Sequence, residues 1–302
     1  MMKKVELSDP YTVPYKKICA ICDEKNEIAE IIEFFDCYGG AAWSRYHYSN
    51  SPLVEDAYVL GDTIRYLVKT GQKNLNLKPS TAAAGIESFI VKDNEAHITY
   101  SGLGGGGVGA TKCRSSADGI LRSSFTDSGG SRVAKGTIVV PRMERLIIGI
   151  DDTDSKEEGA TWSLCHNIAK EIDSHEKRYL SHSLVQLYPV PTKTQNCVAT
   201  VLEFGCSSEK AKDIIIDELK NALLKYSVSN ETGMVAISSF SADKYQDYSK
   251  LCRTRQLTKA FALDYAKKNQ IKIILNGNGV IGALAALAWV AKSDQSIIME
   301  AD

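Results

Sequence analysis

Three aspartates follow a short apolar run in the middle of the chain. Residues 145–150 read Arg-Leu-Ile-Ile-Gly-Ile, and Asp151, Asp152 and Asp154 come directly after them. Magnesium prefers carboxylate oxygens, phosphate oxygens and water as ligands, and α/β sheets place ligands at the ends of buried strands. Carboxylates this close raise one another's pKa unless a cation neutralises them. The pattern favours a magnesium and phosphate site over a solvated loop in which one aspartate caps the next helix.

Two residues further along the chain carry groups that could contact phosphate. Thr161 begins the helix predicted for residues 160–172, where a hydroxyl can contact phosphate, bind magnesium or accept a phosphoryl group. The alternative is a hydroxyl that satisfies a backbone group in the first helical turn. Lys193 lies between two threonines after a predicted strand and could neutralise a phosphate, with a plain surface turn as an equal alternative.

A glycine-rich segment near the end of the chain matches the G-x-G-x-x-G pattern. Gly277, Asn278, Gly279 and Gly282 lie between a predicted strand and an alanine-rich helix, which is the context that the pattern requires. Exposed amides at such a helix start bind anions. A dinucleotide site is therefore an alternative hypothesis, with Glu300 as the acid that would bind the ribose.

A second glycine-rich segment covers residues 102–109 and includes Gly104 and Gly107. It approaches the phosphate-binding P-loop pattern, but Ala110 stands where that pattern needs lysine, and Lys112 comes two residues late. Glycine loses much chain entropy when it is ordered, so something is expected to order this loop. Nucleotide or substrate binding and a mobile flap both remain open for it.

Size and composition indicate a protein of about two domains without a membrane anchor. The chain has 302 residues, 36 basic and 37 acidic, and a net charge of -1. This balance lacks the basic surface of a dedicated nucleic-acid binder. No apolar run reaches membrane-spanning length, and no signal peptide begins the chain, so we expect a cytoplasmic location. Eight cysteines are scattered along the chain; Cys19 and Cys22 form half of a zinc signature, and their role is left open.

The first part of the chain, residues 1–141, is predicted to be a mixed domain. Apolar spacing predicts helices over residues 28–35 and 57–68, the second ending at Gly71. Predicted strands cover residues 85–92 and 95–101, joined at Asp93-Asn94, and residues 120–126 and 132–140. Pro141 is expected to end this domain.

The second part, residues 142–302, alternates between strands and amphipathic helices. Predicted strands cover residues 146–150, 184–188, 198–204, 234–237 and 271–275, and predicted helices cover 160–172, 208–226, 257–268 and 281–291. The fold class is therefore α/β or α+β with two mixed-sheet domains.

Residues 145–290 resemble the kinase-type domain of the archaeal agmatinyl-cytidine synthetases that modify isoleucine transfer RNA. The matching segments are 148–155 (Ile-Gly-Ile-Asp-Asp-Thr-Asp-Ser), 159–161 (Gly-Ala-Thr), 191–196 (Pro-Thr-Lys-Thr-Gln-Asn) and 277–285. The resemblance implies an ATP- and Mg²⁺-binding domain with ferredoxin-like elements, in which Asp151, Asp152 and Asp154 bind metal and Thr161 accepts phosphate. This chain has Ala160 and Trp162 where that family has cysteine and threonine, and it stops before the nucleic-acid-binding modules, so transfer RNA is not favoured as substrate.

The whole chain also resembles the methanogenesis marker protein 11 family of methanogenic archaea. The resemblance is carried by the glycine-rich run at 102–111, by residues 127–130 (Asp-Ser-Gly-Gly), and by the aspartates with residues 157–162 (Glu-Glu-Gly-Ala-Thr-Trp). It implies an anaerobic cytosol but no particular reaction. Residues 1–141 have no counterpart in the synthetase and are expected to carry the specificity.

These observations predict an ATP- and Mg²⁺-dependent, phosphotransferase-like enzyme that activates a substrate oxygen by phosphorylation. Thr161 and Lys193 are the predicted catalytic residues. Gly104, Gly107, Gly277, Asn278, Gly279 and Gly282 are the predicted nucleotide-binding residues. The substrate could be a small molecule, a protein or an RNA, and a homodimer is one option for the oligomeric state. The alternative is a non-catalytic, nucleotide-binding assembly or maturation factor of the methanogenesis machinery.

Overall fold

A computed structural model describes residues 5–299. The chain divides into two compact units, one up to Met143 and the other from Glu144 onward. The division falls two residues after the end that the sequence predicts for the first domain. Each unit combines strands with helices, so the mixed α/β fold class predicted from the sequence is confirmed.

The first unit is built on a mixed sheet. Its elements are β1 (Lys17–Cys22), β2 (Ile28–Phe34), α1 (Tyr38–Tyr48), β3 (Val54–Leu60), β4 (Thr63–Lys69), β5 (Gly71–Gln72), β6 (Ala84–Lys92), β7 (Glu95–Leu103), α2 (Gly105–Ala110), α3 (Lys112–Ser115), β8 (Arg122–Phe125) and β9 (Val133–Asp151), whose last residues belong to the second unit. The strand order is β3-β4-β2-β1-β9-β7-β6-β5, with β8 paired to β9. β1 and β9 are parallel, and the other pairs are antiparallel.

The two helices predicted for residues 28–35 and 57–68 are wrong. Residues 28–34 form β2, in which Ile31 and Ile32 are both fully buried. A strand buried on both faces shows no alternation of apolar and polar residues. The apolar residues of β2 lie at helical spacing by coincidence. Residues 57–68 lie in the β3–β4 hairpin, where Gly61 has a φ of 56° and turns the chain. Gly71 begins β5 and does not end a helix.

The hairpin predicted at Asp93-Asn94 is confirmed. Both residues have positive φ, 50° and 61°, as the tightest two-residue hairpins require. Two neighbouring predictions fail. Residues 105–110, expected in a loop, form the short helix α2. The strand predicted for residues 132–140 is too short, because β9 continues through Pro141 to Asp151.

A fully buried ion pair lies in the core of the first unit. Arg114 donates from Nε and Nη2 to the two carboxylate oxygens of Glu33 at 2.7 and 2.9 Å, and neither side chain is exposed. The guanidinium also lies 4.3–4.7 Å from the ring centres of Tyr15, Tyr48 and Tyr100. A buried charge needs such partners, since the penalty for leaving it unpaired is several kcal/mol.

The second unit is built on an antiparallel sheet with the last part of β9 at its centre. Its further elements are α4 (Thr161–Glu171), β10 (Lys177–Gln186), β11 (Val198–Cys206), α5 (Glu209–Tyr226), β12 (Gly233–Ser238), α6 (Gln246–Thr254), α7 (Lys259–Lys268), β13 (Lys272–Asn276), α8 (Val280–Ala286) and α9 (Ser293–Ser296). The strand order is β10-β11-β9-β12-β13. The series β9-α4-β10-β11-α5-β12 is the split βαβ arrangement of ferredoxin-like folds.

Helices cover both faces of this sheet. Ile148 and Ile150 of β9 pack with α4 and α5, whereas Ile147 packs in the core that contains α6, α7 and α8. Side chains alternate along a strand, so Asp151 lies on the same face as Ile147, beside α8. The approach is close, because a Cβ at Gly149 would lie 2.0 Å from the carbonyl oxygen of Ala283. In the described part of the chain, no helix is both long and apolar enough to cross a membrane.

Candidate functional site

The aspartate segment leaves the central strand of the second unit through a tight turn. Asp151 ends β9 opposite Gly233 of β12. Asp152 has a φ of 55°, a left-handed conformation that is uncommon outside glycine and asparagine-like residues. Its amide donates to Oδ1 of Asp151 at 2.9 Å, and its carbonyl accepts from the hydroxyl of Thr232 at 3.0 Å. The two carboxylates are therefore presented by a constrained backbone.

Thr161 holds the next part of this loop. Its Oγ1 accepts hydrogen bonds from the amide and from the hydroxyl of Thr153, both at 3.1 Å, and its side chain is buried. The carbonyl of Thr153 in turn accepts from Ser227 Oγ and from the amide of Val228, each at 3.0 Å. This geometry shows a structural role for Thr161, while its contact with phosphate stays a prediction.

The segment that contains Lys193 is tied to the same loop. Thr194 Oγ1 donates to Asp154 Oδ1 at 2.8 Å, and Gln195 Nε2 donates to the carbonyls of Ser155 and Gly159 at 3.1 and 3.0 Å. Lys193 itself is exposed. The β10–β11 connection thus lies against the aspartate loop and carries an exposed cationic side chain.

The glycines near the end of the chain pack directly on Asp151. A Cβ at Gly282 would lie 1.8 Å from Asp151 Oδ2, and a Cβ at Gly279 would lie 2.5 Å from the Asp151 carbonyl oxygen. At Gly277 a Cβ would lie 2.1 Å from the carbonyl oxygen of Glu231. Gly277 and Gly279 thus allow a close approach of backbone to backbone, and Gly282 makes room for the Asp151 carboxylate.

The amides of this glycine segment already have acceptors. Those of Gly277 and Gly279 donate to the carbonyls of Thr232 and Glu231 at 3.0 and 2.8 Å. The amide of Asn278 donates to the carboxylate of Glu231 at 2.7 Å. The Glu231 carboxylate therefore accepts the hydrogen bond that this amide could otherwise donate to an anionic ligand. Neither Glu231 nor Thr232 was identified from the sequence, although residues 227–232 (Ser-Val-Ser-Asn-Glu-Thr) form a turn rich in hydroxyl and acidic groups.

The carboxylates at this turn repel one another. Burial, together with the neighbouring Asp152, raises the pKa of Asp151 well above its usual value. Burial raises the pKa of Asp152 to about 6, with Asp154 and Glu231 adding to the shift. Burial raises the pKa of the Cys165 and Cys252 thiols, and the nearby Asp151 carboxylate raises it further. Negative charge concentrated in this way favours binding of a cation.

The fit of a metal ion to this turn is partial. Among residues 5–299, no three His, Cys, Asp or Glu side chains form a set that could hold a metal ion. One oxygen of Asp151 and one of Asp154 already accept hydrogen bonds. Magnesium commonly uses one or two carboxylates and takes its other ligands from phosphate and water, which this turn does allow. Metal binding by Asp151, Asp152 and Asp154 stays a prediction.

Several predicted residues lie elsewhere. Gly104 and Gly107 belong to the first unit, where a Cβ at Gly107 would lie 3.0 Å from that of Ala134. Cys19 and Cys22 are buried in β1. Glu300, the candidate ribose-binding acid, lies outside the described residues.

The chain is similar to an archaeal protein over nearly its whole length. It is 41% identical over 283 residues to the uncharacterised protein MJ0921 of Methanocaldococcus jannaschii, which covers 91% of this chain and 94% of that protein. The chain belongs to the MJ0921 family. Residues 147–275, which contain the aspartates and Thr161, match the family described as the TiaS TCKD domain.

More distant similarity connects the second unit with a transfer-RNA enzyme. The chain is 30% identical over 157 residues to the tRNA 2-agmatinylcytidine synthetase TiaS of Thermococcus sibiricus, over 50% of this chain and 36% of that protein. The crystal structure of TiaS in complex with its transfer RNA and ATP aligns with 48% of this chain and 36% of that chain, at 23% identity and a TM-score of 0.43.

Proposed function

We propose that residues 142–302 form an ATP- and Mg²⁺-binding domain and that the protein is a phosphotransferase-like enzyme. It would activate an oxygen of its substrate by phosphorylation. The observation that carries this proposal is the constrained pair Asp151 and Asp152, located inside the segment that matches the TiaS TCKD domain. A crystal structure of TiaS contains ATP, and TiaS is similar to this chain over 157 residues.

The residues around the turn have separate tasks in this proposal. Asp151, Asp152 and Asp154 bind the cation, and Lys193 neutralises a phosphate of the nucleotide. Magnesium, when bound, would screen the charge that develops on the phosphates. Thr161 contacts or receives the terminal phosphoryl group. Residues 277–282 pack against the aspartate carboxylates. They contact the nucleotide at the amide of Asn278, which donates to the Glu231 carboxylate in this structure.

The acceptor substrate is a separate question. Because the chain covers only 36% of TiaS, the transfer RNA and the agmatine found in complexes of TiaS are not carried over to it. A small molecule, a protein or an RNA all remain as acceptor. We also propose that the MJ0921 family is the methanogenesis marker protein 11 family, on the motifs at residues 102–111, 127–130 and 151–162.

Calorimetry with the non-hydrolysable analogue AMPCPP tests the proposed site. Wild-type protein should bind AMPCPP with Mg²⁺ and bind it far more weakly with EDTA. Asp152→Asn should weaken Mg²⁺-dependent binding about tenfold or more, since a charge-assisted contact is lost. Asp217→Asn removes an exposed carboxylate from α5 and should leave binding unchanged.

Two results would contradict the proposal. If Asp152→Asn binds AMPCPP with Mg²⁺ as wild type does, the cation site is elsewhere. If the wild-type protein does not bind at all, the domain does not use ATP. Prolonged incubation with ATP then separates the enzyme from a non-catalytic assembly factor, because only the enzyme would release ADP or AMP once its substrate is present.

A further inference from the structure

A large cavity lies within the first unit, and the proposed function leaves it unexplained. Its volume is about 870 Å³, inside the range of about 300–1,000 Å³ that is usual for sites that bind small molecules. Tyr11 and Tyr15 of the N-terminal segment, Phe35 and Trp43 of the β2–α1 region, and Gly105 of α2 all line it. The glycine-rich run singled out in the sequence is therefore one wall of this cavity.

One wall of the cavity is formed by aromatic rings. The Trp43 ring lies on Gly106, where a Cβ would be only 2.8 Å from Cη2 of the indole. On the same helix, the ring of His47 lies 4.0 Å from that of Trp43, centre to centre. Trp43 keeps 40% of its surface exposed, although its position is fixed by these contacts. A fixed and partly exposed indole is a ready surface for stacking.

The polar groups of the lining are few and mostly paired. Among the described residues that line the cavity, Asp36 is the one carboxylate, and none is lysine or arginine. Ser44 Oγ accepts from the hydroxyl of Tyr15 at 3.1 Å, and His47 Nδ1 accepts from the amide of Ala83 at 3.3 Å. Burial also lowers the pKa of His47, in keeping with a ring nitrogen that accepts a hydrogen bond. The residues that line the cavity thus offer aromatic surface and hydroxyl groups, whereas the basic residues Lys112 and Arg132 line an adjoining pocket instead.

We propose that this cavity binds a small molecule with a neutral, flat, aromatic ring system that stacks on Trp43. The proposal concerns the first unit alone and does not depend on ATP binding by the second. Flat rings match the Trp43 surface and the wall formed by α2, where glycine leaves the backbone uncovered. Saturated rings of the same carbon skeleton are puckered and would lose the stacking contact.

Gly105 allows the cavity to be filled without disturbing its walls. A Cβ at this position meets no atom within 4 Å, and the residue lacks the positive φ that would strain a side chain. Gly105 lines the cavity, so Gly105→Leu adds a bulky side chain at its wall without a clash at the Cβ. Gly39 provides the matched control, because it also lies in the first turn of a helix with nothing within 4 Å of its Cβ, and it does not line the cavity.

Two neutral probes with the same skeleton test the proposal: 2-naphthol and decahydro-2-naphthol. Binding is followed by protection of Cys37 from a pulse of N-ethylmaleimide, quantified by mass spectrometry. Cys37 lines the cavity and is exposed, whereas six of the eight cysteines, all within the described residues, are buried. We expect 2-naphthol to slow alkylation of Cys37 in wild type and in Gly39→Leu, and to have no effect in Gly105→Leu.

A second variant covers the case in which Gly105→Leu does not fold. Trp43→Leu removes the stacking surface and should weaken binding of 2-naphthol about fivefold, the equivalent of ~1 kcal/mol. Decahydro-2-naphthol should protect Cys37 much less than 2-naphthol does. The proposal is overturned if the two probes protect equally, if protection persists in folded Gly105→Leu, if Trp43→Leu binds 2-naphthol as tightly as wild type does, or if 2-naphthol at millimolar concentration does not protect the wild type.

Discussion

The contact between Gly282 and Asp151 makes a quantitative prediction for a single methyl group. In Gly282→Ala the new Cβ would lie 1.8 Å from Asp151 Oδ2 and 2.9 Å from Leu187 Cδ1. The carboxylate would have to move by roughly 1.5 Å to restore ordinary contact distances. Gly282 and Leu187 are both buried, so the methyl group has little free space to enter.

The expected change in stability combines two opposing effects. Overpacking of this kind costs about 1–3 kcal/mol, whereas alanine in place of glycine in a helix contributes about 1 kcal/mol of stability. We expect Gly282→Ala to lower the free energy of unfolding by up to about 2 kcal/mol. Without the clash, the same substitution would instead be stabilising.

A double-mutant cycle with Asp151→Ala isolates the contact. Removing the carboxylate makes room for the methyl group, so the double variant should be more stable than the two separate effects predict, by about 1–3 kcal/mol. Urea unfolding in a Trp43→Phe background allows Trp162 and Trp289 to report on the second unit alone. Additive effects, or a stabilising Gly282→Ala, would show that the carboxylate does not lie against Gly282.

Two other predictions concern buried charge. Arg114→Met leaves the Glu33 carboxylate buried without its partner and should lower the free energy of unfolding of the first unit by about 3–5 kcal/mol. Lys69→Met, in an exposed pair, should cost less than about 1 kcal/mol; both are measured by urea unfolding that follows the fluorescence of Trp43, the tryptophan of the first unit. Burial, and then the neighbouring His166, lower the pKa of His182 to about 4. Because an unfolded histidine titrates near about 6.5, protons bind the unfolded state first as the pH falls, and up to about 3 kcal/mol of stability should be lost between about pH 6.5 and 4. His182→Gln should remove this part of the pH dependence of unfolding; an unchanged slope would contradict a neutral, buried His182.

The sequence was more informative for the second unit than for the first. There, amphipathic helices such as 208–226 alternate with short apolar strands, and the observed α5 and β11 lie close to the predicted ranges. In the first unit, β2 is buried on both faces. Its sequence therefore lacks the two-residue alternation that distinguishes a strand from a buried helix. Helix α6 was not predicted, although Tyr248 and Cys252 are buried four residues apart.

The sequence identified candidate residues of the site but not the contacts between them. The aspartates, Thr161 and the segment that contains Lys193 were found from residue types and spacing, and the structure does bring their loops together. Glu231 could not be found in this way, because its importance comes from reaching the amide of Asn278 across 47 positions of sequence. The glycines at 277–282 suggested a phosphate loop. Their lack of side chains is equally explained by the close approach of Asp151.

The hydrogen bonds of the Thr161 hydroxyl determine the order of steps in any phosphoryl transfer to this residue. Its oxygen is buried and accepts two hydrogen bonds from Thr153, so no phosphorus atom can approach it while those bonds are in place. Any transfer to that oxygen must begin with the release of Thr153, which also frees the backbone just after Asp152. A conformational step would therefore precede the chemistry and could limit the rate of turnover.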